Sequence, residues 1–304
     1  MKWLLSSIVA LELLTMAPAY AEDQLNVFAC EPEWASLARE IGGDKVEAFA
    51  ATTARQDPHH IRAKPSLIAA IRRADLVVCS GAGLEIGWLP VLQQKAGTSN
   101  TQRGSEGYLA AANYVPMLER PTRLDRADGD VHPEGNPHVQ LNPHNIALVA
   151  TELSNRLATL DAANASVYQS NYENFIERWQ EAMVRWENEA TDLKDVPVVV
   201  HHKSFTYLLD WLHMEEVGSL EPKPGIPPTS AYLEELLRSL RDQSARFILR
   251  TPYEPDDASE WLSEKTGTPA IVLPFTVGGD DQSVDLFGLF DSTIATLTGA
   301  PNVE

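Results

Sequence analysis

Short apolar runs alternate with helical periodicity along most of this chain, and that alternation predicts an α/β fold. Leu25–Cys30, Lys45–Ala51 and Asp75–Ser80 are β-rich runs of strand length. Between them, Trp34–Ile41, closed by Gly42-Gly43, and Pro65–Ala74, with its early proline, carry helical patterns. The βαβαβ rhythm predicts a parallel-rich sheet with helices on its faces. From about Gly97 to Pro143 the pattern weakens, and 124–137 is polar and full of chain breakers, so it reads as a long surface loop. Asn145–Leu160 reads as a helix. Then Tyr168, Tyr172, Phe175, Trp179, Ala182 or Met183, and Trp186 recur at three- and four-residue steps, the apolar stripe of one amphipathic helix from about Ala163 to Leu193. Roughly thirty residues at 1.5 Å each span about 45 Å, enough for a stiff strut between two lobes.

After the strut the rhythm resumes. Strands are expected at Val196–Val200, Glu215–Leu220, Ala245–Arg250 and Pro269–Phe275, and helices at Ser204–Leu212, Ala231–Asp242, Ala258–Thr266 and about Val284–Leu297. The expected plan is an N-terminal α/β lobe over 22–161, a linking backbone helix over 162–194 and a C-terminal α/β lobe over 195–304. No internal sequence repeat is visible.

The first residues change the picture of where this chain works. Met1-Lys2-Trp3, an apolar run to about Met16 and the small-x-small Ala19-Tyr20-Ala21 make a secretory signal peptide over 1–21. The run is too short to span a membrane, Glu12 interrupts it, and no other stretch is long and apolar enough. Cleavage after Ala21 would leave a soluble, exported chain from Glu22; the residue at that point is not a cysteine, so a lipid anchor there is not expected. The formal charge is -19, unchanged by the cleavage because Lys2 and Glu12 cancel. Such a chain will not hold nucleic acid or anionic lipid through bulk charge. Cys30 and Cys79 each end a predicted strand; in an exported protein they are either a disulfide or two buried thiols.

Candidate chemistry lies in the histidines. Of eight, only His213 stands alone; the others form three clusters, His59-His60, His132/His138/His144 and His201-His202. Histidine is the commonest neutral metal ligand. Asp57-Pro58-His59-His60 comes shortly after one predicted strand, His201-His202 directly after another, and Gly278-Gly279-Asp280-Asp281 after the last, whereas Asn136-Pro137-His138 ends the polar loop. Ligands in open parallel sheets bind beyond the carboxyl ends of the strands. With two segments before the strut and two after it, the residues would converge in a cleft between lobes. Three imidazoles and a carboxylate suit tetrahedral zinc; manganese prefers more oxygen. Spacing alone does not say which histidine of each cluster points inward.

These segments carry a resemblance. Asp57-Pro58-His59, with Lys64-Pro65-Ser66, Ala74-Asp75-Leu76-Val77-Val78 and Gly81-x-Gly83-Leu84-Glu85 behind it, resembles the first ligand segment of the zinc/manganese solute-binding proteins of ABC transporters. Gly135-Asn136-Pro137-His138-Val139-x-Leu141-x-Pro143 resembles the second, His202-x-x-Phe205-x-Tyr207 the third, and Glu221-Pro222-x-Pro224-Gly225 a turn of the same family. The matches run in the family's order over nearly the whole chain after residue 21. The resemblance implies His59, His138 and His202 as ligands and leaves His60, His132, His144 and His201 as supporting or loop residues. At the fourth ligand the chain departs from the pattern. The family places an aspartate at the end of the last strand, where this chain has Leu273-Pro274-Phe275, so Asp280 is expected to close the shell, with Asp281 or water as alternatives. The acidic loop with Asp125, Asp128, Asp130, His132 and Glu134 is either a solvated loop or a weak metal-capture segment.

The implied protein is a periplasmic, monomeric zinc-binding component that delivers its ion to an ABC-transporter permease, with limited hinge motion and a periplasmic metallochaperone as a further candidate partner. Neutral imidazoles are needed for binding, so affinity should fall below about pH 6. The rivals are a manganese-binding member of the family, a secreted zinc hydrolase, which would need an open fourth position and a general base, and a surface adhesin on the same fold. No His-Glu-x-x-His or Gly-x-Ser-x-Gly motif is present to favour the hydrolase.

Overall fold

The computed structural model describes residues 24–123, 129, 131–241 and 243–299. The expected signal peptide, its cleavage point and Asp125, Asp128 and Asp130 of the acidic loop lie outside the described residues. The chain runs β1 (Leu25–Ala29), α1 (Pro32–Gly42), β2 (Val46–Ala50), α2 (Pro65–Arg73), β3 (Leu76–Cys79), α3 (Leu89–Ala96), β4 (Tyr108–Ala110), α4 (Pro143–Leu160) and α5 (Ala165–Glu189). It continues through β5 (Pro197–Val200), α6 (Thr206–Leu212), β6 (Glu215–Ser219), α7 (Ser230–Ser239), β7 (Phe247–Arg250), α8 (Asp257–Thr266), β8 (Ala270–Val272) and α9 (Leu286–Gly299).

Two all-parallel sheets result, ordered β2-β1-β3-β4 and β6-β5-β7-β8. The two lobes therefore share one strand order, a repeat of topology that the sequence does not display. Strand alternation builds the cores. Val27, Ala29, Leu76 and Val78 of the first sheet, and Val198, Val200, Phe247 and Leu249 of the second, point into one continuous central core. The alternate residues Phe28, Val77 and Cys79 pack outward under α2 and α3, and Val199 and Ile248 pack outward with Leu236 of α7 and Leu262 of α8. Both faces of each sheet are covered, which is why the strands are nearly all apolar.

The strut is present. α5 has 25 residues, about 37 Å at 1.5 Å per residue, and turns of 3-10 helix at Ala162–Asn164 and Thr191–Leu193 flank it. Its aromatic stripe is packing: Trp179 lies against Phe175, Trp186, Phe287 and Phe290, with ring centroids 4.9–5.4 Å apart. The indole N–H of Trp179 donates to the Pro143 carbonyl at 2.9 Å, tying α5 to the start of α4. Because the central core contains residues of both lobes, wide separation of the lobes would expose it to water.

Cys30 and Cys79 form a disulfide, which settles the alternative in favour of the bridge. They lie at the ends of neighbouring strands, β1 and β3. Two short elements were not legible in the sequence: α3, eight residues with a proline and three polar side chains, and β4, three residues on the sheet edge. No helix among the described residues is long and apolar enough to cross a membrane.

Candidate metal centre

The carboxyl ends of both sheets face one another, and the loops leaving them supply the histidines. His59 lies between β2 and α2. Its backbone N–H donates to the Asp57 carboxylate at 2.9 Å, and its Nδ1 lies 2.8 Å from the same oxygen. His202 follows β5 directly, and its Nδ1 lies 2.7 Å from Glu221 Oε2, an oxygen that also accepts the Gly225 N–H at 2.8 Å. The Glu221–Gly225 turn therefore orients the His202 ring. His138 is held through its neighbour: Asn136 Oδ1 accepts the His138 backbone N–H at 2.9 Å, and the Asn136 amide donates to Glu119, to the Lys203 carbonyl and to Thr206. Tyr207 clamps this segment, its hydroxyl donating to the Asn136 carbonyl and accepting the Leu118 N–H, both at 3.0 Å. Gly135, at φ +116, makes the turn before it, where a Cβ would stand 2.6 Å from the Leu118 carbonyl oxygen.

The three rings form a near-equilateral triangle with centroids 5.3 Å (His59–His138), 5.6 Å (His59–His202) and 5.6 Å (His138–His202) apart. One ring nitrogen from each lies within 4.8 Å of the other two. With Nδ1 of His59 and His202 engaged by carboxylates, their Nε2 atoms are left to a ligand, the arrangement by which acidic partners fix the tautomer of metal-binding histidines. His138 is 1 % exposed, and neither of its nitrogens has a hydrogen-bond partner among the described residues. A buried, unsatisfied imidazole is costly unless something binds it.

Electrostatics favour neutral rings at two positions. Burial, followed by the neighbouring histidines, holds His138 well below its ordinary pKa and pushes His132 down to about 4. His202 moves the other way: burial opposes its protonated form, but the hydrogen bond and charge of Glu221 outweigh burial and raise its pKa. A cavity of about 570 Å³, lined in part by His59, His202, Tyr253, Glu254 and Trp261, reaches the cluster on one side. A second, of about 190 Å³, reaches it past His132, His138 and Pro224.

Asp280 is not brought to this centre. Its Oδ1 accepts the Gln282 and Ser283 N–H groups and the Ser283 hydroxyl at 2.7–3.0 Å, and its Oδ2 accepts the Ser292 hydroxyl. This carboxylate caps the turn leading into α9. Gly278-Gly279 lies in a closed turn: the Gly278 N–H donates to the Ser283 carbonyl and the Gly279 N–H to the Thr276 carbonyl. At the strand end, where the family pattern places an acid, Phe275 packs edge-on to His138 at 5.4 Å. Asp281 is exposed, and the clustered group contains no carboxylate.

His132 takes a place that the sequence reading did not assign to it. Its Nε2 lies 3.3 Å from His59 Nε2, 73 residues away in the chain. The available signal was its position six residues before His138. The remaining histidines stand apart from the triangle. His60 is exposed, His144 lies 3.0 Å from Glu187, His201 is buried beside the larger cavity, and His213 ends α6 in the left-handed conformation.

Fold and site together define a two-lobed protein whose cleft gathers three imidazoles that could hold a metal ion. The family model described as "ZnuA: Zinc-uptake complex component A periplasmic" matches residues 27–300. The chain therefore belongs to this family, the metal-binding solute-binding components of ABC importers, which work with a membrane permease and an ATPase and are not enzymes. Among its relatives are the metal ABC transporter substrate-binding lipoprotein ScbA of Streptococcus cristatus, 23 % identical over 83 % of this chain and 80 % of the relative, and the manganese ABC transporter substrate-binding lipoprotein PsaA of Streptococcus pneumoniae, 23 % identical over 84 % and 81 %. A zinc-bound ZnuA deletion mutant has the same fold, with a TM-score of 0.77 at 21 % identity over 93 % of this chain and all of that one.

Proposed function

We propose that this protein captures zinc in the periplasm and delivers it to the permease of its transporter, with His59, His138 and His202 as ligands. The observation that carries this reading is the triangle of three imidazoles, two of them oriented through Nδ1 by Asp57 and Glu221. Nitrogen donors suit zinc, whereas manganese sites are richer in oxygen. The zinc-bound ZnuA structure and the zinc-uptake family description agree with that preference; the manganese-named relatives make manganese the second reading. The expected units, 22–161, 162–194 and 195–304, and action as a monomer belong to the same proposal, as does loading by a periplasmic metallochaperone.

The test is thermal. Metal-stripped protein at a zinc concentration about 100-fold above Kd should gain about 2.7 kcal/mol. His59→Ala, His138→Ala and His202→Ala should each lose most of that gain. An unchanged melting temperature in the wild-type protein would refute the reading.

A further inference from the structure

We propose that His132 is the fourth ligand, so that the bound ion sits in a shell of four imidazoles with no carboxylate. This inference rests on the three-histidine reading above and completes it.

Three observations carry it. The first is a distance. His132 Nε2 and His59 Nε2 are 3.3 Å apart, and two ligands of a tetrahedral ion with bonds of about 2.0–2.1 Å stand roughly 3.3–3.4 Å apart.

The second is the direction of the lone pairs. Asp57 takes the Nδ1 side of His59, so a neutral His59 presents an unprotonated Nε2. His132 repeats the pattern: its Nδ1 lies beside the Gly83 turn, and the ring donates a hydrogen bond to the Ala82 backbone. With both Nδ1 positions engaged, two lone pairs meet at 3.3 Å. They repel unless a cation lies between them.

The third observation is the anchoring of the loop. The His132 carbonyl accepts the Gly135 N–H at 3.2 Å, and Asn136 donates its N–H to Leu118 at 2.9 Å. His132 is thus the first residue of a tight turn that ends at the clamped Asn136–His138 segment, which places the two histidines on one anchored stretch of chain. His132 also lines the smaller cavity with His138 and His202. Asp280, the acid expected to close the shell, is held by the Ser283 and Ser292 hydroxyls. A neutral four-nitrogen shell would discriminate against manganese more strongly than a shell with a carboxylate.

The experiment compares wild type, His132→Ala, His132→Gln and Asp280→Asn, each stripped of metal. Zinc affinity is measured by competition with a chromophoric chelator, and the visible spectrum of the cobalt(II)-loaded protein is recorded. Both His132 variants should bind zinc more weakly, by on the order of tenfold or more, since a ligand matters at least as much as the groups that orient it. Their cobalt bands should shift as water replaces a nitrogen. Asp280→Asn should retain wild-type affinity and spectrum. Melting of the metal-free proteins separates lost binding from lost folding. If both His132 variants keep wild-type affinity and spectrum, or if Asp280→Asn alone changes the spectrum, this inference is overturned while the three-histidine reading stands. If wild type binds no zinc, the three-histidine reading itself fails.

Discussion

Glu221 Oε2 stands 2.7 Å from His202 Nδ1 and turns the opposite nitrogen of that ring toward His59 and His138. The same contact raises the pKa of His202 against the effect of burial, which makes His202 the ring that holds its proton to higher pH. Zinc requires that ring neutral.

The pH dependence of binding follows with a definite sign. As pH falls through the raised His202 pKa, a proton competes for the ligand and affinity drops. The onset lies above the ordinary imidazole value near 6.5, not below about pH 6 as free imidazoles suggest. His138, whose pKa is depressed by burial, takes no proton in that window. Glu221→Gln should shift the onset of zinc release toward lower pH while weakening binding at pH 8, where orientation alone matters. Zinc titrations of both proteins from pH 5.5 to 8 check this; superimposable profiles would contradict it.

A second prediction concerns the apo protein. Glu33 of α1 is fully buried, and the hydroxyl of Thr276, from the other lobe, donates to it. Burial pushes its carboxyl up to about 7, against the Thr276 bond. The folded state therefore holds a proton that the unfolded chain releases near its ordinary pKa of 4.5, and stability falls as pH rises from there through about 7. Glu33→Gln keeps an oxygen acceptor for Thr276 and removes the titration. It should raise the stability of metal-free protein at pH 8, on the order of 3 kcal/mol for a shift from 4.5 to about 7 with one pKa unit worth about 1.4 kcal/mol, and change it little at pH 4.5. Chemical denaturation at the two pH values measures the difference.

The Cys30–Cys79 bridge joins the ends of β1 and β3 across 49 residues, a segment that contains His59. Closing such a loop restricts the unfolded chain and stabilises the fold by roughly 2–4 kcal/mol. The double variant Cys30→Ala, Cys79→Ala should therefore melt at a lower temperature. Its zinc affinity should be retained, because the Asp57–His59 contact is made within one turn.

How much of this was legible in the chain depends on range. The strands and long helices were readable because burial on one or both faces leaves a local apolar period, as in Val196–Val200 and the stripe from Tyr168 to Trp186. His59, His138 and His202 were reached by combining their places after strands with a family resemblance, and the structure brings all three together. Asp280 stands apart from the triangle: a carboxylate after the last strand looks the same in sequence whether it faces the cleft or caps a helix, and here it accepts from Ser283 and Ser292. His132 was overlooked because its contact with His59 spans 73 residues and two loops, and no local period encodes such an approach. The α3 and β4 elements are too short for periodicity to stand out.

The proposed role of the cleft is that of a nitrogen-donor site for zinc. Competitive titration of metal-stripped wild-type protein with zinc and manganese tests it most directly. One equivalent of zinc should bind tightly and be displaced by manganese only at a large excess, and His138→Ala should lose that tight binding. Absence of zinc binding, or manganese binding as tight as zinc, would contradict it.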